Sequence, residues 1–334
     1  MLELKKYNFL VGVFFLALVP VIITQDPYYL YVLIRILIWG TASASLWLTI
    51  RTGIFNLGHA AFMDIGAYTT ALLQVKAGLS FWLSLPIAGV AAIVVAILIG
   101  IPILRIKGMY FVLVTFAFTE VVTLLIANFP KYTGGYDGIR NIPAPKILAT
   151  DFSAHVPYYY LVLFFMSIFV FICYRIWNSR IGKIFSAIAA SETLCESVGV
   201  PVTKYKILSF VTASFFGALC GSFITPLSGV IDPLMFGMSA SVNCFLYMVL
   251  GGVGSIFGPI IGTTLAILIS EGFRFMLELA PAIIGLIIII LMLFLPEGLI
   301  GIPQKILQLV KRVRKAKIES RERLKSKRVK LTRG

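Results

Sequence analysis

The chain has 334 residues, 59% of them hydrophobic and only 13% charged, with a formal net charge of +15. That balance excludes an ordinary soluble domain, because apolar runs of about 20 residues, enough to cross hydrocarbon, recur along nearly its whole length. The basic excess sits mostly beyond Pro303, where 13 Lys or Arg oppose Glu319 and Glu322.

In chain order, the runs fall at 8–24, 29–50, 57–75, 81–103, 109–129, 157–177, 207–226, 238–253, 256–277 and 281–299. They predict an all-α polytopic membrane protein of about ten transmembrane helices, with residues 1–303 as the membrane domain and 304–334 as a basic tail. The eighth run is rich in Gly and interrupted near Gly251–Gly252, which reads as a broken or re-entrant helix. The first run has a positive start but no small-residue cleavage site after it, so it reads as a span. Lys5, Lys6, Arg51, Arg105, Lys107, Arg180, Lys183, Lys204, Lys206 and the tail then fall on one side, the cytoplasm, which also takes both termini. The opposite side holds Lys76, Lys131, Arg140, Lys146 and Arg274, diluted by Asp26, Asp137, Asp151, Asp232, Glu271 and Glu278.

The segment Gly53–Leu73 combines small residues (Gly58, Ala60, Ala61, Gly66, Ala67) with polar ones (Asn56, His59, Asp64, Tyr68). Small residues allow close helix approach, and a broken helix here would expose backbone groups to a central cavity. The same polar groups could instead join helix to helix, with His59 near a helix start. A carboxylate at mid-membrane costs at least about 2.5 kcal/mol, so Asp64 should face protein or water. Glu120 and Arg35 come under the same constraint, and each could pair with Asp64 or with the other. Thr115, Thr119 and Thr123 form a polar stripe beside Glu120, able to line a path or to bond back to their own helix. The external loop 130–156 carries Thr133–Gly134–Gly135–Tyr136–Asp137–Gly138, which turn chemistry alone accounts for.

The polar island 178–206, NSRIGKIFSAIAASETLCESVGVPVTKYK, is too long and hydrophilic for a simple turn between spans. Its pattern predicts two short helices broken at Gly199–Pro201. Such a cytoplasmic helical loop offers a docking surface to a soluble partner and points to a transporter permease driven by a separate motor. Toward the end of the chain, Gly251, Gly252, Gly254, Gly258 and Gly262 form a second small-residue cluster. GAYTT at 66–70 and GTT at 262–264 hint at a tandem duplication.

Catalytic and metal chemistry find little support. Cys173, Cys195, Cys220 and Cys244 lack paired spacing and read as small apolar residues without disulfides, and His59 and His155 are too few for a histidine metal site. No phosphate-binding Gly-rich loop, dinucleotide fingerprint or nucleophile elbow occurs, so any ATPase must be another subunit. Residues 304–334 hold no aromatics to stack on bases, which favours a lipid-facing or solvated tail over nucleic-acid binding.

Several motifs in order carry a family resemblance: GIFNLGHAAFMDIGAYTTALL (53–73), LRIKGMYFVLVTFAFTEVV (104–122), TGGYDGI (133–139), residues 179–221 of the island and following span, VLGGVGSIFGPIIGT (249–263) and LPEGLIG (295–301). Together they resemble the branched-chain amino acid ABC-transporter permeases, LivM type, over most of residues 30–301. Asp64, Ser197 and Val198 depart from the family pattern. The resemblance implies a non-enzymatic permease subunit in a bacterial or archaeal cytoplasmic membrane, importing leucine, isoleucine or valine. It implies no cofactor on this chain, ATP and Mg on two partner ATPases, a second LivH-type permease and an external solute-binding protein. On this chain it assigns coupling to Glu192, Glu196, Gly199, Arg180 and Gly182, and receptor contact to Thr133, Gly134, Gly135 and Asp137. The substrate path is then expected at Asn56, His59, Asp64, Tyr68, Thr119 and Glu120, and the seam between permeases at Gly53–Ala67 and Gly251–Gly262 or along Thr115–Thr123. Cargo alternatives are urea, short amides or another amino acid. A self-sufficient channel or a proton-coupled transporter using Asp64 and Glu120 would need no docking loop, and a membrane-embedded enzyme lacks an acid, base and metal constellation.

Overall fold

Hydrocarbon offers a backbone nothing to bond except itself, so apolar runs become helices. The computed structural model describes residues 26–106, 108–147, 150–273, 285–286 and 298–299. Helix α1 (Pro27–Ile50) starts where the Asp26 side chain accepts from Tyr28 N at 2.9 Å, with Pro27 in its first turn. Then come α2 (His59–Val75), α3 (Phe81–Ile103), α4 (Met109–Asn128) and a short α5 (Pro130–Thr133). After a long loop follow α6 (His155–Trp177), the short pair α7 (Arg180–Ala190) and α8 (Glu192–Ser197), α9 (Val202–Ser228), α10 (Met238–Gly251) and α11 (Phe257–Gly272).

Among the described residues, α1, α3, α4, α6 and α9 are the five helices long and apolar enough to cross a membrane. The chain is thus an all-α, multi-pass membrane protein. The expected span at 8–24 lies outside the described residues, as does that at 281–299 apart from residues 285–286 and 298–299. Helices α2, α10 and α11 match expected spans but hold 17, 14 and 16 residues. At 1.5 Å per residue, α10 is about 21 Å long against a hydrocarbon core of about 30 Å, which fits the reading of the eighth run as broken. Two-residue strands lie in the connecting loops: β1 (Ile139–Arg140) pairs antiparallel with β4 (Val230–Ile231), and β2 (Lys146–Ile147) with β3 (Thr150–Asp151).

The core lies where α2 is enclosed by α9, α3 and α4, with α1 on the other side of α9. Glycine makes that enclosure possible. A Cβ at Gly66 would lie 2.1 Å from Ala218 O, and one at Gly221 would lie 2.0 Å from Met63 O, so the α2 and α9 backbones are in direct contact. Ser222 donates to Gly66 O at 3.1 Å and Thr70 donates to Ser222 Oγ at 2.8 Å, joining the two helices with polar groups inside an apolar bundle. The second glycine cluster does the same for α10 and α11: a Cβ at Gly251 would meet Gly258 O at 1.7 Å, and one at Gly262 would meet Tyr247 O at 1.9 Å.

Gly66, Gly251, Gly258 and Gly262 are therefore used in packing within the chain, while Gly254 stays open. This packing takes up much of the small-residue surface expected at Gly53–Ala67 and Gly251–Gly262 for a seam with another permease. The break in the island also moves. Ser191, at φ −163° and accepting from Leu194 N at 3.3 Å, separates α7 from α8 as an N-cap. Gly199 (φ +81°) and Pro201 instead end α8 and lead into α9. Arg35 pairs with neither Asp64 nor Glu120. Its guanidinium meets Glu271 at 3.2 Å, and Tyr28 donates to the same carboxylate at 2.6 Å, closing α1 onto α11.

Gly66→Leu should overpack the α2–α9 contact and cost about 3 kcal/mol or more. Gly254→Ala, at a position with nothing within 4 Å of the new methyl, should be neutral. Thermal midpoints in detergent, read by size-exclusion chromatography, compare the two.

Candidate functional site: an apolar cavity with an ion pair in its wall

Between the end of α1 and the start of α2 the chain is unwound from Thr52 to Gly58, yet Thr52, Ile54, Asn56 and Gly58 are buried. Irregular backbone at such a place needs partners other than its own helix. The Asn56 side chain accepts from Gly58 N at 2.8 Å, folding the segment on itself. From α4, Thr115 accepts from Leu57 N at 3.2 Å and Thr119 donates to Leu57 O at 3.1 Å. The threonine stripe is thus a clamp on this loop.

The clamped loop forms one wall of a half-open cavity of about 560 Å³. Gly53, Ile54, Phe55 and Leu57 line it from the loop, while the end of α3, the start of α4 and the first turns of α10 complete its apolar walls. Phe55 and Phe245 face one another with ring centroids 6.4 Å apart. Among the described residues, two charged ones also line it: Glu192, the first residue of α8, and Lys206 of α9, which form an ion pair. Lys206 is only 7% exposed, an uncommon state for lysine unless it is paired. The segments beside the cavity carry Arg51 and Arg105.

The residues expected on the path lie behind this wall. Asn56, His59, Asp64, Tyr68 and Thr119 are buried, and none lines the cavity. His59 Nε2 lies 3.2 Å from Ser45 Oγ, which is also 2.8 Å from Ala42 O, so the ring and the hydroxyl share a hydrogen bond to α1. The imidazole also rests on α9, where a Cβ at Gly217 would come within 2.9 Å of Cε1. His59 therefore locks three helices together. Both Asp64 oxygens and the Tyr68 hydroxyl are buried without a hydrogen-bond partner among the described residues. Glu120 is half-buried on α4 and makes no hydrogen bond or ion pair among the described residues.

The other expected sites divide by exposure. Glu196, Gly199 and Arg180 are exposed on the island, whereas Glu192 is held by Lys206. Gly182 is a packing residue, because a Cβ there would lie 1.9 Å from Trp177 O. The island also presents Leu194 on α8 and Val198 at its C-cap, 65% and 71% exposed, while Cys195 is buried. On the external loop, buried Thr133 and Gly135 shape the turn, with Thr133 donating to Ile126 O at 2.6 Å. Gly134 and Gly138 adopt left-handed backbones, and Tyr136 and Asp137 are the exposed residues of that motif. All four cysteines are free and buried. Sequence reasoning missed Lys206, Phe55 and Phe245 as cavity residues.

A family model described as "Branched-chain amino acid transport system / permease component" matches residues 28–296. The chain belongs to that family. It is 30% identical over 281 residues to the LivM high-affinity branched-chain amino acid permease protein of Salmonella typhimurium and 31% identical over 281 residues to that of Escherichia coli K12. Each alignment covers 77% of this chain and 66% of the relative. The LivH permease protein of Escherichia coli K12 is 24% identical over 273 residues, covering 75% of this chain and 87% of the relative. No solved structure matches.

With no partner for its carboxylate among the described residues, Asp64 contributes desolvation cost and little bonding. Asp64→Asn should hold or raise the thermal midpoint, and Asp64→Lys should prevent folding, as judged by yield and elution in detergent.

Proposed function

We propose that the chain is the membrane-spanning permease subunit of an ATP-driven importer of branched-chain amino acids in a bacterial or archaeal cytoplasmic membrane. Its solute comes from an external binding protein, and ATP and Mg are used by two separate ATPase subunits. The family match over residues 28–296 supports the transport role. The observation that carries the coupled form is α8: a six-residue helix on a polar loop with Leu194 and Val198 both exposed. Two neighbouring aliphatic side chains kept in water cost free energy unless a partner covers them, and a soluble ATPase is the partner an importer supplies. Glu196, Gly199 and Arg180 surround them as the polar rim of that contact. The apolar cavity lining suits an aliphatic side chain better than urea or a short amide.

We assign about ten spans with both termini cytoplasmic, and a second, LivH-type permease as neighbour. With the glycine clusters buried, α4 is the better candidate for that seam. It is the least buried of the five long spans, at 28%, and it carries half-buried Glu120 at mid-helix. Lipid is a poor environment for that carboxylate, whereas a second permease or a shared aqueous path is not. Tyr136 and Asp137 are the receptor-facing residues of the external turn.

Leu194→Asp together with Val198→Asp should leave membrane insertion and elution unchanged while abolishing ATP-dependent uptake and co-purification of the ATPases. Receptor-dependent leucine uptake into proteoliposomes, with the neighbouring permease and ATPase genes co-expressed, tests the whole assignment.

A further inference from the structure

Arg51 closes α1 with a guanidinium that makes no hydrogen bond or ion pair among the described residues. Its place is nevertheless fixed. The guanidinium carbon lies over two indoles, 4.6 Å from the ring centroid of Trp177 and 5.7 Å from that of Trp47. The indoles meet edge to face at 4.8 Å, and Trp47 is anchored by donating to Val253 O at 2.8 Å. Ring faces supply no acceptor oxygen to the five N–H donors of an arginine. Beside it lies a cavity of about 290 Å³, lined by Ile50, Arg51 and Val253 on one side and by Ser186, Ala189 and Ala190 of α7 on the other. We infer that this cavity binds the phosphate of an anionic phospholipid headgroup, with Arg51 as its charged partner.

The planar fork of arginine matches two oxygens of a phosphate, and here the fork is held in position before any ligand arrives. Among the described residues, no Asp or Glu lines the cavity to compete for it. Lys183 lies three residues before Ser186, on the same face of α7, and is exposed, so a second cation stands near the rim. Partial burial disfavours the charge of Arg51 and draws its pKa below the usual arginine value, a cost that an anion in the cavity offsets. Arg51 also stands near the C-terminal ends of α1 and α7, where a cation is favoured. No carbonyl there accepts from the guanidinium among the described residues, so its donors stay available.

The level in the bilayer selects lipid over free phosphate. Helices α1 and α6 are two of the five long apolar spans, and Arg51 and Trp177 mark their shared end. At such an end hydrocarbon gives way to headgroups, and tryptophan is enriched there. Basic pockets between membrane helices take anionic headgroups, and the volume is on that scale. Because α1 and α7 share the cavity, an occupied site ties the polar island to the end of the bundle through a lipid. That tie is independent of which solute is carried.

The test places the full chain with Ala190→Cys, an exposed cavity residue, in nanodiscs of phosphatidylcholine with or without phosphatidylglycerol. Labelling by uncharged N-ethylmaleimide is read as the modified peptide by mass spectrometry, against the four buried native cysteines. Phosphatidylglycerol should slow labelling at position 190 by about threefold or more. It should leave Val198→Cys, exposed elsewhere on the island, unchanged. Arg51→Met should abolish the slowing, Arg51→Lys should retain part of it, and exposed Lys183→Gln should weaken it. Equal labelling at position 190 in the two lipids overturns the site, as does slowing that survives Arg51→Met. Equal slowing by inorganic phosphate in phosphatidylcholine alone overturns the choice of lipid. Should Arg51→Met fail to elute as folded protein, Lys183→Gln decides, and undiminished slowing in that variant overturns the site.

Discussion

The contact on which the rest of the structure depends is backbone against backbone, α2 on α9. Without side chains at Gly66 and Gly221, carbonyl oxygens of each helix reach the other's Cα, closer than any larger residue would allow. That approach puts Ser222 and Thr70 within bonding distance and presses the His59 ring onto Gly217. It also fixes where α2 can begin. With His59 pinned between α1 and α9, the preceding residues 52–58 must close the gap from α1 unwound, and α4 brings threonines to satisfy them. The cavity is the space beside that unwound loop. One close contact thus accounts for the short helix, the buried irregular segment and the site.

Much of this was legible in the sequence. Apolar runs gave span limits to within a few residues, as at 81–103 for α3 and 157–177 against His155–Trp177, because hydrocarbon leaves a backbone no choice but helix. Turn chemistry placed the break at Gly199–Pro201, and a break is indeed there. What it missed was Ser191, whose side chain ends one short helix and starts the next without any glycine or proline. Pairings over distance were not legible at all. Arg35 and Glu271 stand 236 positions apart, and only the packing of α1 on α11 brings them together.

The readings of a seam and of a path rest on signals that share one ambiguity. Small residues signal close helix approach by the same physics whether the neighbour belongs to the same chain or another, so sequence cannot divide the two cases. Polar residues in an apolar run signal either a path or internal bonding, and here most do the second. Asn56 folds the loop, Thr115 and Thr119 hold it, and His59 joins three helices. The cavity-facing positions alternate with them along the loop: Phe55 and Leu57 face the space while Asn56 faces the protein. The site residues sat next to the expected ones, one layer further out.

The polar island has a modular construction. Ile188, Cys195 and Val202 form a small core of their own, with Ile184, Val200 and Tyr205 packed around it, separate from the large cluster inside the bundle. Helices α7 and α8 and the first turn of α9 therefore hold together as one unit. That unit touches the cavity wall at two points: the Glu192–Lys206 pair, and Gly53, whose Cα side faces Ala189 of α7. Displacing it costs little of the main core, because few of its apolar contacts reach there. The same displacement necessarily moves the loop end and the ion pair, which are cavity walls.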